Sequence, residues 1–221
     1  MSETSQPLLR TASGERLIAK TRPAAEALVP PGRCDPVTPR EYPQASWLRR
    51  CWEWRDVPAA LKGASLRRVA FHEAGHVVVL EWLGLEVSTV TATPTGGLCR
   101  FICPLKCTPS PGPDPTGELC ATAAAVFHAG IVGEFLCMGE PWAGPVFYPR
   151  QKDYVDAEQM LKPRFAGHSS GAHAFAQQVA LHVLSGRWQR LCEVAEALML
   201  NGTWGPAVAP KALNAAALSP R

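Results

Sequence analysis

The stretch V-A-F-H-E-A-G-H-V-V-V-L, residues 69–80, decides how the rest of the chain is interpreted. It contains an H-E-x-x-H motif with apolar residues on both sides. His72 and His76 are four residues apart, so on a helix their side chains lie one turn apart on the same face and can bind one metal ion. Glu73, between them, is placed to act on a water molecule at that ion. The motif therefore predicts a catalytic zinc site.

Local signals around the motif predict a helix of about five turns. Ser65 is suited to cap its N-terminus, the apolar run Leu66–Leu83 follows, and Gly84 is suited to end it. Gly75 lies inside this helix and costs about 1 kcal/mol relative to alanine. A glycine kept at that cost usually lets another backbone or a ligand come close. We expect such an approach next to the metal.

Patterns further along the chain predict a mainly helical α+β domain with a small β-hairpin or sheet. Alternating β-branched residues predict a strand at 87–93, and a turn rich in Pro and Gly separates it from a return strand at 98–103. Further helices are predicted at about residues 117–139, 152–161 (ended by Pro163), 170–184 and 187–200.

Changes in composition divide the chain into four segments. Trp47, Trp52 and Trp54 lie close together beside several arginines, which favours docking on the domain's own surface but also suits a partner-binding patch. The expected segments are a disordered Pro-rich arm at 1–40, a Trp-rich docking segment at 41–63, the metal-binding domain at 64–202 and a flexible tail at 203–221.

Charge and hydropathy argue against two classes of partner. The net charge of +3 is small and the basic residues are scattered, so we expect no nucleic-acid partner. Residues 119–138 are apolar over a length that could span a membrane, but they include His128 and Glu134. A buried helix is the better interpretation, and we expect a soluble protein with no membrane association.

The eight cysteines are expected to be reduced. Residues 1–20 lack the continuous apolar core of a secretory signal, so we expect a cytoplasmic protein without a disulfide framework. The repeated spacing of Cys99, Cys103 and Cys107 matches no established zinc-binding pattern. Cys120 lies in an apolar helical pattern and is interpreted as a small core residue.

Two histidines do not complete a catalytic zinc site, because a third protein ligand is needed and a fourth position must remain for water. Sequence spacing does not choose that ligand. Asp153 opens a predicted helix, from which a carboxylate can point into a cleft, and Asp156 lies on a neighbouring face of the same helix. The other candidates on chemistry alone are Glu134, His128, His168, His173 and His182.

The chain resembles the FtsH-type ATP-dependent zinc metalloproteases over roughly residues 64–202. Residues 69–78 are similar to the family's H-E-A-G-H helix, and residues 129–134 to its A-G-x-x-x-E helix. In that family an Asp followed four residues later by Ala provides the third zinc ligand, and Asp153 with Ala157 matches this pattern, although Lys152 departs from it.

This resemblance implies a zincin-like fold with Zn²⁺ bound by His72, His76 and Asp153 and with Glu73 as general base. Asp156 stays the reserve ligand. Glu134 is interpreted as a buried carboxylate that orients a ligand rather than as a ligand itself.

The expected function is that of a free-standing zinc metalloendopeptidase. The sequence holds no G-x-x-x-x-G-K-[ST] motif, so we expect it to cut peptides or unfolded protein segments without an ATPase of its own, unless an unfoldase or other partner protein assists. A substrate could pair with the hairpin edge around residues 98–101. The alternatives are a non-proteolytic, zinc-retaining binding or regulatory protein that uses residues 47–54, and a structural helical domain with a coincidental motif. Oligomeric state is left open.

Overall fold

The computed structural model describes residues 37–101 and 114–205. Over these ranges the protein is mainly helical with small sheets, which confirms the predicted fold class. Its elements are β1 (Arg55–Asp56), α1 (Leu66–Leu83), β2 (Val87–Thr93), β3 (Gly96–Phe101), α2 (Glu118–Met138), β4 (Val146–Phe147), α3 (Lys152–Phe165), α4 (Ser170–Gly186), α5 (Trp188–Asn201) and β5 (Thr203–Trp204), with 3-10 helices at Ala45–Arg49 and Ala59–Leu61.

Helix α1 has the predicted bounds because both of its ends are fixed by local chemistry. The Ser65 side chain accepts a hydrogen bond from the Arg68 backbone N–H at 3.3 Å. Gly84 ends the helix in the left-handed region at φ 72°, which a residue with a Cβ rarely adopts. Gly75 lies against the backbone carbonyl of Ala129, so the expected close approach of another backbone is confirmed.

Helix α2 is the central helix, packed between α1, α3 and α4. By length and composition alone it could cross a membrane, but 83% of its most apolar 18-residue window is buried inside the protein. That burial is typical of the core helix of a soluble protein. It explains how a run with almost no polar face forms a stable helix here, because the rest of the protein covers most of it.

The strands form two small sheets. In the larger one β2 lies between β3 and β5, and both neighbours are antiparallel to it. The smaller sheet pairs β1 with β4 in parallel. Strand β5 corrects the predicted start of the flexible tail at 203, because Trp204 pairs with Val90 and its ring lies near Arg190. Packing of this half-buried tryptophan against the core extends the domain to residue 204.

Helix α3 corrects a second prediction, because it continues through Pro163 to Phe165 instead of ending before the proline. Proline lacks an N–H and costs one hydrogen bond in the last turn. Contacts with the segment before α2 compensate: the Phe165 ring covers Gly117, and Arg164 donates to the carbonyl of Pro115. Tertiary packing therefore outweighs the local stop signal.

The segment that contains the three tryptophans contacts the helical domain at Leu48, and its role as a docking segment stays a prediction. Leu48 is buried, and its carbonyl lies so close to Gly171 of α4 that a side chain at residue 171 would overlap it. Trp47 and Trp52 meet edge to face with ring centroids 5.4 Å apart. Most of the predicted arm and tail, the end of the return strand and the loop after it fall at 1–36, 102–113 and 206–221, outside the described residues.

Among the residues that the structure describes, Cys120 differs from the expectation of reduced thiols. Cys120 is buried in α2 as predicted, but it forms a disulfide. Disulfides are rare in cytosolic proteins, so this bond argues against the cytoplasmic location, which stays a prediction.

Candidate metal centre

Helix α1 places His72 and His76 side by side, with ring centroids 4.9 Å apart. The first turn of α3 brings Asp153 to them. Its Oδ2 lies 2.9 Å from Nε2 of His72 and 3.6 Å from Nε2 of His76. Two imidazole nitrogens and one carboxylate oxygen thus converge, although Asp153 is 81 residues from His72 in sequence.

This cluster could hold a metal ion. Within residues 37–101 and 114–205 it is the group of three candidate ligands whose donor atoms all lie within 4.8 Å of one another. Two histidines and a carboxylate are a donor set found in catalytic zinc sites, which leave a further position for water or substrate.

Hydrogen bonds to the other ring nitrogen orient both imidazoles. Nδ1 of His76 lies 2.7 Å from the carbonyl oxygen of Val126, and Nδ1 of His72 lies 2.7 Å from Oε1 of Glu134. A carbonyl and an ionised carboxylate only accept hydrogen bonds, so both Nδ1 atoms donate. Each Nε2 is then left to face Asp153. Such outer partners fix the tautomer of metal-binding histidines.

Glu134 therefore lies behind a histidine rather than among the three converging donors. It is 6% exposed, and its second oxygen pairs with Nε of Arg68 at 2.6 Å. Arg68 is four residues before His72 on α1, so both side chains reach the same carboxylate. The ion pair compensates the buried negative charge.

The remaining candidates are not among the converging donors, although Asp156 lines the same cleft. Asp156 forms an ion pair with Lys152 on the surface of α3. His128 and His173 hydrogen-bond to each other, while His182 bonds the carbonyl of Arg40. The last histidine, His168, is exposed.

Two glycines make room for the site. A Cβ on Gly130 of α2 would lie 2.5 Å from Cε1 of His72, inside the space that the imidazole fills. A Cβ on Gly97 of β3 would lie 2.6 Å from Oε1 of Glu73. The glycine of the A-G-x-x-x-E helix thus admits a histidine ring, and the glycine after the hairpin turn admits the carboxylate of the motif.

The charges of the site shift the pKa values of its members. Burial lowers the pKa of His72, but hydrogen bonds with Asp153 and Glu134 outweigh this and raise it to about 10. Burial also lowers the pKa of His76, and the Asp153 charge reverses the shift, so its pKa is raised. Burial raises the pKa of Asp153, but the two histidines hold it well below its ordinary value. The cluster therefore favours a bound cation, whether protons or a metal ion.

Glu73 opens onto a cleft of about 390 Å³ beside this cluster. It is 5% exposed, and burial raises its pKa above the ordinary value for a glutamate. Strand β3 forms one wall of the cleft. The wall includes Cys99, whose thiol has its pKa raised to about 12 by burial and by the nearby carboxylates. At neutral pH this thiol is protonated and is a weak nucleophile.

Several functional contacts were not predicted from the sequence. The spacing of Arg68 and His72 on one helix face was a usable signal for their shared partner. The backbone carbonyl of Val126 carries no sequence signal, because any residue provides one.

No protein-family model matches the sequence, and no curated protein matches it. Function is therefore inferred from the geometry and chemistry of the site.

Proposed function

We propose that the protein is a zinc-dependent metallopeptidase that hydrolyses peptide bonds in peptides or unfolded protein segments. The observation that carries this proposal is the approach of Asp153 to both Nε2 atoms of His72 and His76. A chance H-E-x-x-H in a structural helix has no reason to meet a carboxylate from a distant helix. In a chance motif there is also no reason for the Nδ1–H groups of both histidines to donate hydrogen bonds to acceptors behind the rings.

His72, His76 and Asp153 would hold the zinc ion. When bound, the ion would supply a Lewis acid that polarises the scissile carbonyl and lowers the pKa of water toward neutrality. The Asp153 carboxylate offsets part of the cation's charge, and the Glu134–Arg68 pair keeps the His72 ring in place. This is also the arrangement that the resemblance to FtsH-type metalloproteases implies.

Glu73 acts as the general base. Its carboxylate faces the same cleft as the three proposed ligands, and its raised pKa brings it closer to neutrality. It takes a proton from the attacking water and passes it to the leaving amine, since a group whose pKa approaches the working pH can do both.

The cleft suits an extended peptide. Strand β3 pairs with β2, and within residues 37–101 and 114–205 no strand pairs with its other side, to which a substrate strand could add. Leu98 on this strand is 48% exposed and lines the cleft. A bound chain pairing with β3 would pass beside Glu73, which favours peptides and unfolded segments over folded substrates.

The decisive experiment measures zinc and proteolysis in the same preparations. We expect about one zinc ion per chain, cleavage of an unfolded protein such as casein, and a loss of at least 100-fold in cleavage in Glu73→Gln with zinc retained. Zinc without cleavage of casein or of a broad peptide panel would support the alternative of a non-proteolytic, zinc-retaining binding protein. Absence of zinc from a protein supplied with it would refute both.

A further inference from the structure

A buried chain of hydrogen bonds runs beside the metal centre and takes no part in the proposed chemistry. The Tyr148 hydroxyl lies 2.6 Å from Nδ1 of His128, and Nε2 of His128 lies 2.9 Å from Nδ1 of His173. Nε2 of His173 lies 2.7 Å from Oε2 of Glu158 on α3. Both histidines are fully buried. These side-chain hydrogen bonds thus connect three helices in series, from α2 to α4 to α3.

The carboxylate at the end of this chain fixes the direction of every bond. Burial raises the pKa of Glu158, but its bonds with His173 and Ser169 lower it below the ordinary value, so it is ionised and only accepts. Burial lowers the pKa of both histidines, so each is neutral, with one donor and one acceptor. His173 then donates to Glu158, His128 donates to His173, and Tyr148 donates to His128.

A second anchor from the same face of α4 holds the segment before α3. Oε1 of Gln177 accepts from the Val146 N–H at 2.8 Å, and its Nε2 donates to the Val146 carbonyl at 2.9 Å. Gln177 follows His173 by one helical turn, so both side chains leave α4 in the same direction. Asp153 lies between the two anchored points, Val146 and Glu158.

The residue next to Asp153 is held as well. The Tyr154 ring stacks on His173 with centroids 4.3 Å apart and planes 6° apart, and it meets His128 and Tyr148 edge-on. Rotation of the first turn of α3 would break this stack. The position of Asp153 is therefore coupled to the imidazole of His173 through its immediate neighbour and through Glu158.

We propose that the His128–His173–Glu158 chain is a positioning device that holds Asp153 against His72 and His76 and thereby sets the affinity of the metal centre. This inference rests on the metal binding of the proposed function but not on peptidase activity. Residues that orient metal ligands from behind typically change metal affinity by about 10- to 100-fold when removed. In this chain the oriented ligand is the one that comes from a separate helix.

Glu158→Ala tests the proposal by removing the acceptor of His173 without removing a core side chain, because the Glu158 side chain is 43% exposed. The matched control is Gln159→Ala, the exposed next residue on the same helix. Zn²⁺ affinity of the full-length metal-free protein is measured by competition with a chromophoric chelator. We expect Glu158→Ala to weaken Zn²⁺ binding by about tenfold or more and Gln159→Ala by less than about twofold.

A double-mutant cycle with Asp153→Ala separates positioning from general destabilisation. Alanine has no donor atom left to be positioned, so if Glu158 acts through Asp153, adding Glu158→Ala to Asp153→Ala changes Zn²⁺ affinity no further. An equal loss in both backgrounds would overturn the proposal, and so would wild-type affinity in Glu158→Ala. His173→Phe provides a second readout, because phenylalanine keeps a ring against Tyr154 but has neither a donor for Glu158 nor an acceptor for His128. The His173 variant should weaken Zn²⁺ binding. If this variant does not fold, the result for Glu158→Ala alone tests the proposal.

The outcomes also distinguish this inference from the proposed function. Zinc binding by the wild type with unchanged affinity in Glu158→Ala and in the His173 variant would refute the positioning device alone. Failure of the wild type to bind zinc would refute both. Zinc binding with the predicted cycle but no proteolysis would keep the positioning device and remove the peptidase.

Discussion

Glu134→Gln removes one negative charge from a buried site and keeps the side-chain volume. In the wild type the two carboxylate oxygens are divided between Nδ1 of His72 at 2.7 Å and Nε of Arg68 at 2.6 Å. A glutamine has one acceptor oxygen, so its amide group must face one of these two donors. Either the guanidinium or the imidazole then loses its partner inside the protein.

The size of the loss follows from burial. The side chains of Arg68 and Glu134 are 16% and 8% exposed. Removing one partner of a buried ion pair costs about 3–5 kcal/mol, because the other charge stays buried and uncompensated. We expect the lower end, about 3 kcal/mol, since glutamine keeps one hydrogen bond. Zinc affinity should fall by about 10- to 100-fold, because His72 loses the group that orients its ring.

Urea unfolding of the metal-free variants at pH 7 measures the first quantity, and chelator competition measures the second. The control is Glu81→Gln, which breaks an ion pair with Arg190 whose side chains are 40% and 28% exposed. Exposed pairs contribute at most about 1 kcal/mol. If Glu134→Gln costs no more than Glu81→Gln, or leaves zinc affinity unchanged, the inferred role of Glu134 behind His72 is wrong.

Two further predictions concern α1. Gly75→Ala should lower the free energy of unfolding by about 1 kcal/mol, because its methyl group would lie 2.9 Å from the Ala129 carbonyl carbon, and overpacking of about 1–3 kcal/mol outweighs a gain in helix propensity of about 1 kcal/mol. The control Gly186→Ala, with nothing within 4 Å, should be neutral or stabilising in the same unfolding experiment; a destabilised control would contradict the packing argument. In chelator-treated protein the pKa of His72 is raised from 6.5 to about 10, so its stabilisation is fully present below pH 6.5 and is lost as pH rises through 10. The Tm should accordingly fall from pH 7 to pH 10 in the wild type and fall less in His72→Ala, and equal slopes would refute this assignment.

The parts of the fold that could be predicted from the sequence are those fixed by neighbouring residues. Helix α1 begins and ends at its predicted residues because Ser65 and Gly84 form their capping contacts within the same helix. Strand β2 likewise follows from the β-branched residues within it, although its burial alternates only from Val90 onward, after a register shift between Val87 and Thr89. Pro163 shows the limit of this reasoning, since contacts of Phe165 and Arg164 with the start of α2 keep a turn that local chemistry disfavours.

The candidate metal centre also has one part that local sequence predicts and one part that depends on tertiary packing. The side-by-side placement of His72 and His76 follows from the pitch of one helix, and no tertiary information is needed for it. The approach of Asp153 depends on where α3 packs, so its spacing in sequence could not distinguish it from Asp156, three residues later. In the structure that difference is one of direction: Asp153 meets the two imidazoles, while Asp156 pairs with Lys152 on the surface.

The histidines show why residue chemistry alone, without geometry, does not determine which side chains bind a metal ion. His128 and His173 are as capable of binding metal as His72 and His76, and both are fully buried. Their ring nitrogens are all engaged, by Tyr148, by each other and by Glu158, so they form a line rather than a convergent set. In the motif helix only Nδ1 of each ring is engaged behind the site, which leaves both Nε2 atoms facing a single carboxylate. A metal centre requires donor atoms that converge, and each of its imidazoles must keep one nitrogen available for the ion. The fold determines which nitrogen is available by placing a hydrogen-bond acceptor next to the other nitrogen of each ring.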